Sequence, residues 1–309
     1  MVQLVFDGIR SRNWVLARAC NRLRVALARR HDARVRLRLG GRELVLPLSH
    51  DLAWYRRCFP TYSDNLARLA RFLRARDGAL RMVDVGANVG DSWALTEPAP
   101  DDRYLLVEGE PAFFELLARN TASEAGVTRV PVLLSDKPAT APRGMVVVAG
   151  NARVDVAAGP GGRVFETLDR VLTNHAGFPP ANLVKVDVEG FDGRVLRGAR
   201  SLLAGVAPVV LFEHDPRLVV LAGDGEQALF GELADLGYGA MLLYDNRGFL
   251  LGTVEPRDGA ALSGWMAKAR AIAGCYYDVI AFPARRAADR EAFLAQEQAF
   301  FAALARPGD

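Results

Sequence analysis

Residues 83–91 read Val83-Asp84-Val85-Gly86-Ala87-Asn88-Val89-Gly90-Asp91, and their order predicts a strand, a tight loop and a helix. An apolar run ends on an acid, one glycine lets the chain turn sharply, and a second glycine opens the next helix. The logic is that of a nucleotide-binding loop. The spacing Gly86-x-x-x-Gly90 is nevertheless not the G-x-G-x-x-G of dinucleotide folds, and the acid stands before the first glycine. A pyrophosphate favours bare amides at a helix N-terminus, with no carboxylate beside them. A ligand carrying an ammonium group favours the reverse. Asp84 therefore points to S-adenosylmethionine, whose methionine portion carries both an amine and a carboxylate. The purely structural alternative is that Asp84 and Asn88 cap the turn.

Working outward, Leu105-Leu106-Val107-Glu108 ends the next apolar run on an acid. An acid about twenty residues beyond a glycine loop, closing the second strand, is placed to accept both ribose hydroxyls. Glu110 is a weaker candidate for the same task. Adenine is expected against the loop after the third strand, near Ser135 and Asp136. Further on, Leu183-Val184-Lys185-Val186-Asp187-Val188-Glu189-Gly190 places three charges in an apolar strand. Period two puts Lys185, Asp187 and Glu189 on one side, where burial without partners is costly. One reading is an ion pair between Lys185 and Asp187 or Glu189. Another is a divalent cation held by the two acids, although no metal site is predicted. The functional reading sets Asp187 and Glu189 at the mouth of a cleft. There they orient a substrate hydroxyl or take its proton. Phe212-Glu213-His214 ends the following strand on an acid and a histidine. His214 titrates near neutrality, which suits a general base, while a polar surface role is the plainer alternative. The candidate bases are thus Asp187, Glu189 and His214, in that order.

The whole chain bounds these readings. Its 309 residues are half apolar and a quarter charged, a globular profile long enough for a large core. Three scattered cysteines, Cys20, Cys58 and Cys275, make neither a disulfide framework nor a CxxC pair. No stretch has the apolar length of a spanning helix, and arginines interrupt residues 13–30 where a secretory signal would need an apolar run. A reducing cytoplasm is the expected location. Residues 1–80 hold 17 Arg and 6 Asp or Glu, a balance of +11, which leaves −8 for the remainder. An acidic partner, an anionic membrane or nucleic acid could meet such an arm. With only three lysines against 36 arginines, a coding bias and a solvated helical face explain it more simply. No nucleic-acid motif accompanies it.

Strand and helix signals then alternate. Residues 14–30 read as a basic amphipathic helix with Trp14, Leu16, Leu23 and Leu27 toward the core. Residues 34–39 and 43–48 form a hairpin turning at Gly40-Gly41, and Ser63 or Asp64 caps a helix ending near Gly78. From residue 81, strands are expected at 82–85, 104–107, 128–134, 183–188, 209–212, 241–244 and 275–282. Helices fall at 112–119, 195–203 and 226–236, and a hairpin over 144–158 turns at Gly150-Asn151. The result is a mainly parallel sheet with helices on both faces, whose ligands bind at the carboxyl ends of the strands. Three regions follow: a small α/β cap over 1–80, a cofactor-binding domain over 81–285, and a C-terminal helix over 286–309. The cap is expected to select the acceptor, to hold a homodimer or to dock on a membrane face, with acceptor selection and dimerisation together favoured.

Taken in series, these segments resemble the FkbM family of S-adenosylmethionine-dependent methyltransferases. The likeness rests on residues 83–91, on Val107-Glu108-Gly109-Glu110-Pro111 through Leu117 and Asn120, and on Glu166-Thr167-Leu168-Asp169. It is most specific at Lys185-Val186-Asp187-Val188-Glu189-Gly190-Phe191-Asp192 with Val195-Leu196-Arg197-Gly198-Ala199. Pro208 through Glu213, Tyr277-Asp278 and Pro60-Thr61-Tyr62 complete the order. Gly109 stands where a proline is common, and Asp192 where a glutamate is. The resemblance implies a Rossmann-like class I methyltransferase that uses S-adenosylmethionine, releases S-adenosylhomocysteine, and methylates a hydroxyl of a sugar, glycan or secondary metabolite. Two other readings remain. A nicotinamide-dependent oxidoreductase would need a dinucleotide glycine pattern and a Tyr-x-x-x-Lys relay, and the sequence has neither. A catalytically silent binding protein on the same fold would bind no S-adenosylmethionine.

Overall fold

The structure, a computed structural model, describes residues 1–141, 145–148, 151–154 and 163–305. Helices Val2–Gly8 and Trp14–Arg30 precede the hairpin of β1 (Arg34–Leu39) and β2 (Arg42–Pro47). In β1 the arginines face water while Val35, Leu37 and Leu39 are buried, the alternation of a strand with one covered face. Gly40 and Gly41 both take positive φ in its two-residue turn. Helices Leu52–Cys58 and Asp64–Asp77 follow. Ser63 precedes the latter at φ 58° without a side-chain cap bond; the neighbouring Asp64 accepts instead from Arg56 at 2.9 Å.

The main sheet begins with β3 (Arg81–Val85), β4 (Arg103–Val107) and β5 (Val127–Val130). Next come β6 (Leu133–Leu134), β7 (Ala139–Ala141), the antiparallel pair β8 (Met145–Val148) and β9 (Asn151–Val154), and β10 (Arg163–Glu166). Gly150, in the turn expected between β8 and β9, lies outside the described residues, as do residues 159–162. The chain then returns to the main sheet with β11 (Leu183–Val186), β12 (Val209–His214), β13 (Tyr238–Asp245), β14 (Leu250–Val254) and β15 (Tyr277–Pro283). The eight strands lie in the order β14-β13-β15-β12-β11-β3-β4-β5. Strands β12, β11, β3, β4 and β5 are parallel, and β15 runs antiparallel to β12. Chain order reverses at β3, between β4 and β11, so the crevice for a ligand opens there.

Period two divides the core. Along β3, Met82 belongs to one apolar cluster and Val83 and Val85 to another on the opposite face. The first cluster takes in Phe6, Leu44, Leu46, Leu69 and Leu73 together with Leu106, Leu183 and Phe293. Residues 1–80 and the last helix, Ala287–Leu304, thus share one core with the sheet. The second cluster is covered by the helices Asp192–Arg197, Arg200–Gly205, Ala228–Asp235 and Gly259–Ala271. Among the described residues no helix is long and apolar enough to cross a membrane.

Several expectations are corrected. The strand expected over 128–134 breaks after Val130, and Leu133–Leu134 joins the small sheet with β10 and β7. The helix expected over 195–203 breaks at Gly198, where a Cβ would stand 2.2 Å from the Ser135 carbonyl oxygen. Strand β11 stops at Val186, so Asp187 and Glu189 sit in the following loop rather than on a strand face. Helix Trp14–Arg30 is turned so that Trp14, Leu16 and Leu23 are exposed, and of the expected core contacts only Leu27 packs inward. Its buried positions are Ala17 and Arg24.

Candidate active site

The loop after β3 is stitched to the end of β4. Gly86 and Ala87 both donate their backbone N–H to the Val107 carbonyl, at 3.0 Å each. Asn88 donates its N–H to Glu108 Oε2 at 2.9 Å, and Glu110 donates to Oε1 at 2.7 Å. Gly86 is at φ 77°, and a Cβ there would lie 2.0 Å from the Asp187 carbonyl oxygen. Left-handed strain and a clash with rigid backbone add together, so Gly86→Ala is expected to lose roughly 3 kcal/mol of stability, read from denaturant unfolding. Gly90, at φ 89°, precedes helix Asp91–Leu95 and packs on Leu117 and Thr121.

Strand register makes Asp84 and Lys185 direct neighbours on β3 and β11. Lys185 Nζ lies 3.1 Å from Asp84 Oδ1 and 3.5 Å from Asp187 Oδ2. Asp84 is fully buried, and its Oδ2 has no hydrogen-bond partner. Burial raises its carboxyl above the usual range against the pull of Lys185. The same burial opposes the Lys185 charge, but Asp84, Asp187 and Asp91 together hold its pKa above the ordinary value.

One cavity gathers these groups at the carboxyl ends of β3, β4, β11 and β12. Gly86, Asn88, Glu108, Lys185, Asp187, Glu189 and Glu213 line it, beside an apolar wall of Val132, Leu133, Leu134 and Phe165. Burial pushes the Glu108 carboxyl up to about 7. Burial and the acids Asp187, Glu189, Asp192 and Asp278 drive Glu213 well above its usual range. From the N-terminal segment, His50, Asp51, Leu52, Tyr62 and Asn65 complete the wall, and Tyr276 and Asp278 close it from β15 and the residue before it. Buried Arg24 pins the segment that carries His50, donating to the Leu48 and His50 carbonyls and to Asp51. Asn65 donates to Asp278 Oδ2 at 2.9 Å, and burial brings Asp278 to about 7.

The structure therefore brings Gly86, Asn88, Glu108, Asp187 and Glu189 around one cavity. Asp84 stands behind its wall through Lys185. Ser135 and Asp136 follow directly on the apolar wall but do not line it; Ser135 Oγ donates to Asp136 Oδ1 at 2.9 Å. His214 is placed elsewhere. It is 2% exposed, its Nε2 lies 3.2 Å from Met266 Sδ, and Phe212 and Phe230 pack edge-on against it. Burial there lowers its pKa to about 4, so the histidine expected at the rim is a core residue, pointing to the opposite face from Glu213 by strand alternation. Asp169, in the Glu166-Thr167-Leu168-Asp169 stretch, accepts from the Ser201 and Leu202 amides at 2.7 and 3.0 Å and so caps a helix. His50, Tyr62, Asn65, Tyr276 and Asp278 were not predicted as site residues. The local signs are Pro60-Thr61-Tyr62 and the acid in the apolar strand at Tyr277-Asp278. Among the described residues no group of three or more His, Cys, Asp or Glu is arranged to hold a metal.

A mixed sheet whose five parallel strands reverse chain order at β3, with acids at the ends of neighbouring strands around one cavity, is the Rossmann-like fold of the class I methyltransferases. The methyltransferase FkbM domain matches residues 84–238, and the chain belongs to the FkbM methyltransferase family. Among solved structures it is similar to methyltransferase FkbM from Methylobacillus flagellatus KT, at 16% identity and a TM-score of 0.38, over 53% of this chain and 40% of that one. The likeness thus spans well under half of that protein. A putative O-methyltransferase from Klebsiella pneumoniae is 13% identical, with a TM-score of 0.38, over 71% of this chain and 80% of that one. TomG, an O-methyltransferase from Streptomyces achromogenes involved in tomaymycin synthesis and solved with SAM, is 14% identical, with a TM-score of 0.35, over 70% and 78% of the two chains. No curated protein matches the chain.

Proposed function

We propose that the protein transfers a methyl group from S-adenosylmethionine to a hydroxyl of a sugar, glycan or secondary metabolite. The observation that carries this reading is the Glu108 carboxylate, buried at the cavity wall at the switch point with each oxygen accepting a single backbone amide. Each oxygen keeps a lone pair for a further donor, as two ribose hydroxyls require. Lys185, held by the buried Asp84, presents its ammonium to the same cavity, which fits the carboxylate of the methionine end. Bound S-adenosylmethionine would supply a methyl on a sulfonium, open to in-line attack.

In this reading Glu108 holds the ribose. Asp84 and Gly86 serve the methionine end, with Asp84 acting through Lys185. Asn88 and Gly90 shape the loop. Leu133, Leu134 and Phe165 give adenine an apolar wall, with Ser135 and Asp136 next along the chain, just outside the cavity lining. Asp187 accepts the acceptor hydroxyl's proton, with Glu189 beside it. An aliphatic hydroxyl barely ionises at neutral pH, so a positioned base is worth roughly 10²–10⁴ in rate. Orientation within the cavity supplies much of the remainder.

Thermal shift tests the cofactor: S-adenosylhomocysteine is expected to raise the melting temperature and NAD to leave it unchanged. Stabilisation by NAD alone would sink the reading. Acceptors are then sought by exposing lysate glycans and small molecules to labelled S-adenosylmethionine. Asp187→Ala is expected to bind S-adenosylhomocysteine normally and to lose about two to four decades of label transfer.

A pH dependence follows with opposite signs for binding and folding. Glu108 accepts from both ribose hydroxyls only when ionised, so affinity for S-adenosylhomocysteine is expected to fall, by up to roughly thirtyfold, between pH 8 and 5.5, through its pKa of about 7. Calorimetry on Glu108→Gln should show a flattened profile. The unliganded fold behaves the other way. Glu108 and Asp278 both titrate near 7, above their unfolded values. They bind more protons folded than unfolded, and the stability they contribute at low pH is lost as pH rises through 7.

A further inference from the structure

Leu16, Ala19, Leu23 and Ala26 recur at spacings of 3, 4 and 3 along the helix Trp14–Arg30, and all four are exposed. They form an apolar stripe on the side turned away from the core. Val15 beside it is 78% exposed, and Leu4 of the preceding helix 75%. Arg18, Arg22 and Arg29 flank the stripe at helical spacing. Among the described residues none of these three, nor Arg10, Arg12 or Arg30, has an ion pair, and residues 8–31 contain no acid. In the next hairpin Arg34, Arg36 and Arg42 each pair with a glutamate, and among the described residues only Arg38 does not. Six arginines without ion pairs, in a stretch that holds no acid, thus surround an uncovered apolar stripe.

The chemistry selects the occupant. A second copy docking through the same face would set two unpaired arginine rows against each other. Nucleic acid would satisfy the arginines but leave Leu16 and Leu23 against phosphates. An anionic bilayer satisfies both, with the stripe at the acyl boundary and the guanidinium groups among headgroups. We propose that this face of the helix Trp14–Arg30 docks on an anionic lipid surface. Trp14, at the edge of the stripe, meets Trp54 edge-on at 6.0 Å and lies 4.3 Å from the Arg57 guanidinium. The lipid-facing helix is thus packed on helix Leu52–Cys58, which carries Leu52 and Tyr55 into the cavity.

Flotation of the full chain tests this, using phosphatidylcholine vesicles with and without about 30% phosphatidylglycerol, at low and high salt. Anionic vesicles are expected to bind at least tenfold more tightly than neutral ones, and high salt to remove the difference. Leu16→Asp with Leu23→Asp should abolish binding while leaving melting temperature and S-adenosylhomocysteine affinity unchanged, because both leucines are exposed. Arg18→Glu with Arg22→Glu should reduce anionic binding to the neutral level. Absence of vesicle binding would overturn the proposal, as would equal binding to both compositions. So would an oligomer dissolved by the leucine pair, or nucleic-acid retention lost in the arginine pair, in a chain that ignores vesicles.

Discussion

Glu108→Ala is expected to lower affinity for S-adenosylhomocysteine by at least a hundredfold. Hydrogen bonds to a charged acceptor are worth about 1.5–3 kcal/mol each, and two ribose hydroxyls would lose theirs together. The same truncation frees the Asn88 and Glu110 amides, which donate at 2.9 and 2.7 Å in the native loop, so the loop after β3 keeps only the Gly86 and Ala87 bonds to Val107. Glu108→Gln keeps one carbonyl acceptor and the side-chain shape, and an intermediate loss is expected. Isothermal calorimetry reads all three proteins, with near-ultraviolet circular dichroism as the check on folding. Wild-type affinity in folded Glu108→Ala would remove the ribose assignment, and the placement of cofactor with it.

The second large effect concerns stability. Arg68 Nε and Nη2 donate to Glu297 Oε1 and Oε2 at 2.6 and 2.7 Å, with both side chains almost wholly buried. Tyr244 donates its hydroxyl to Glu297 Oε2 at 2.9 Å, and the guanidinium lies 4.3 Å from the Phe300 ring centre. Arg68→Ala leaves a carboxylate uncompensated in the core, at a cost of about 3–5 kcal/mol. In a chain of this size that is roughly 5–15 °C of melting temperature. Arg68→Met combined with Glu297→Leu should recover most of the loss, because burying neither charge avoids the desolvation penalty. A double variant as unstable as the single one would show that the pair matters for its shape and not for its charge. Asn65, one turn before Arg68, donates to Asp278 in the cavity wall. Loosening this helix is therefore expected to weaken ligand binding too.

Much of the site is legible locally. A strand that ends on an acid before a glycine requires a particular backbone, and Gly86 at φ 77° has that backbone. Glu108 could be picked out because the end of a parallel strand has only one direction to face. His214 was not legible. Strand alternation decides between Glu213 in the cavity and His214 in the core, and an acid next to a histidine does not say which is turned inward. Leu16 and Leu23 misled for a related reason. An amphipathic pattern marks a stripe, but burial depends on which stripe meets the rest of the fold, and here it is the one with Ala17 and Arg24, whose guanidinium reaches Leu48, His50 and Asp51.

Taken alone, the sequence determines the alternating α/β order, the glycine loop, the acids at 84, 108, 187 and 189, and the family, because these depend on neighbours a few residues apart. Tertiary structure decides which charges share a cavity. Lys185 meets Asp84 only through the register of β3 and β11, and His50, Asn65 and Asp278 reach the same space from segments more than two hundred residues apart. Such meetings follow from how the sheet is crossed and how the first helices fold back onto it, which pairing and packing set over the whole chain.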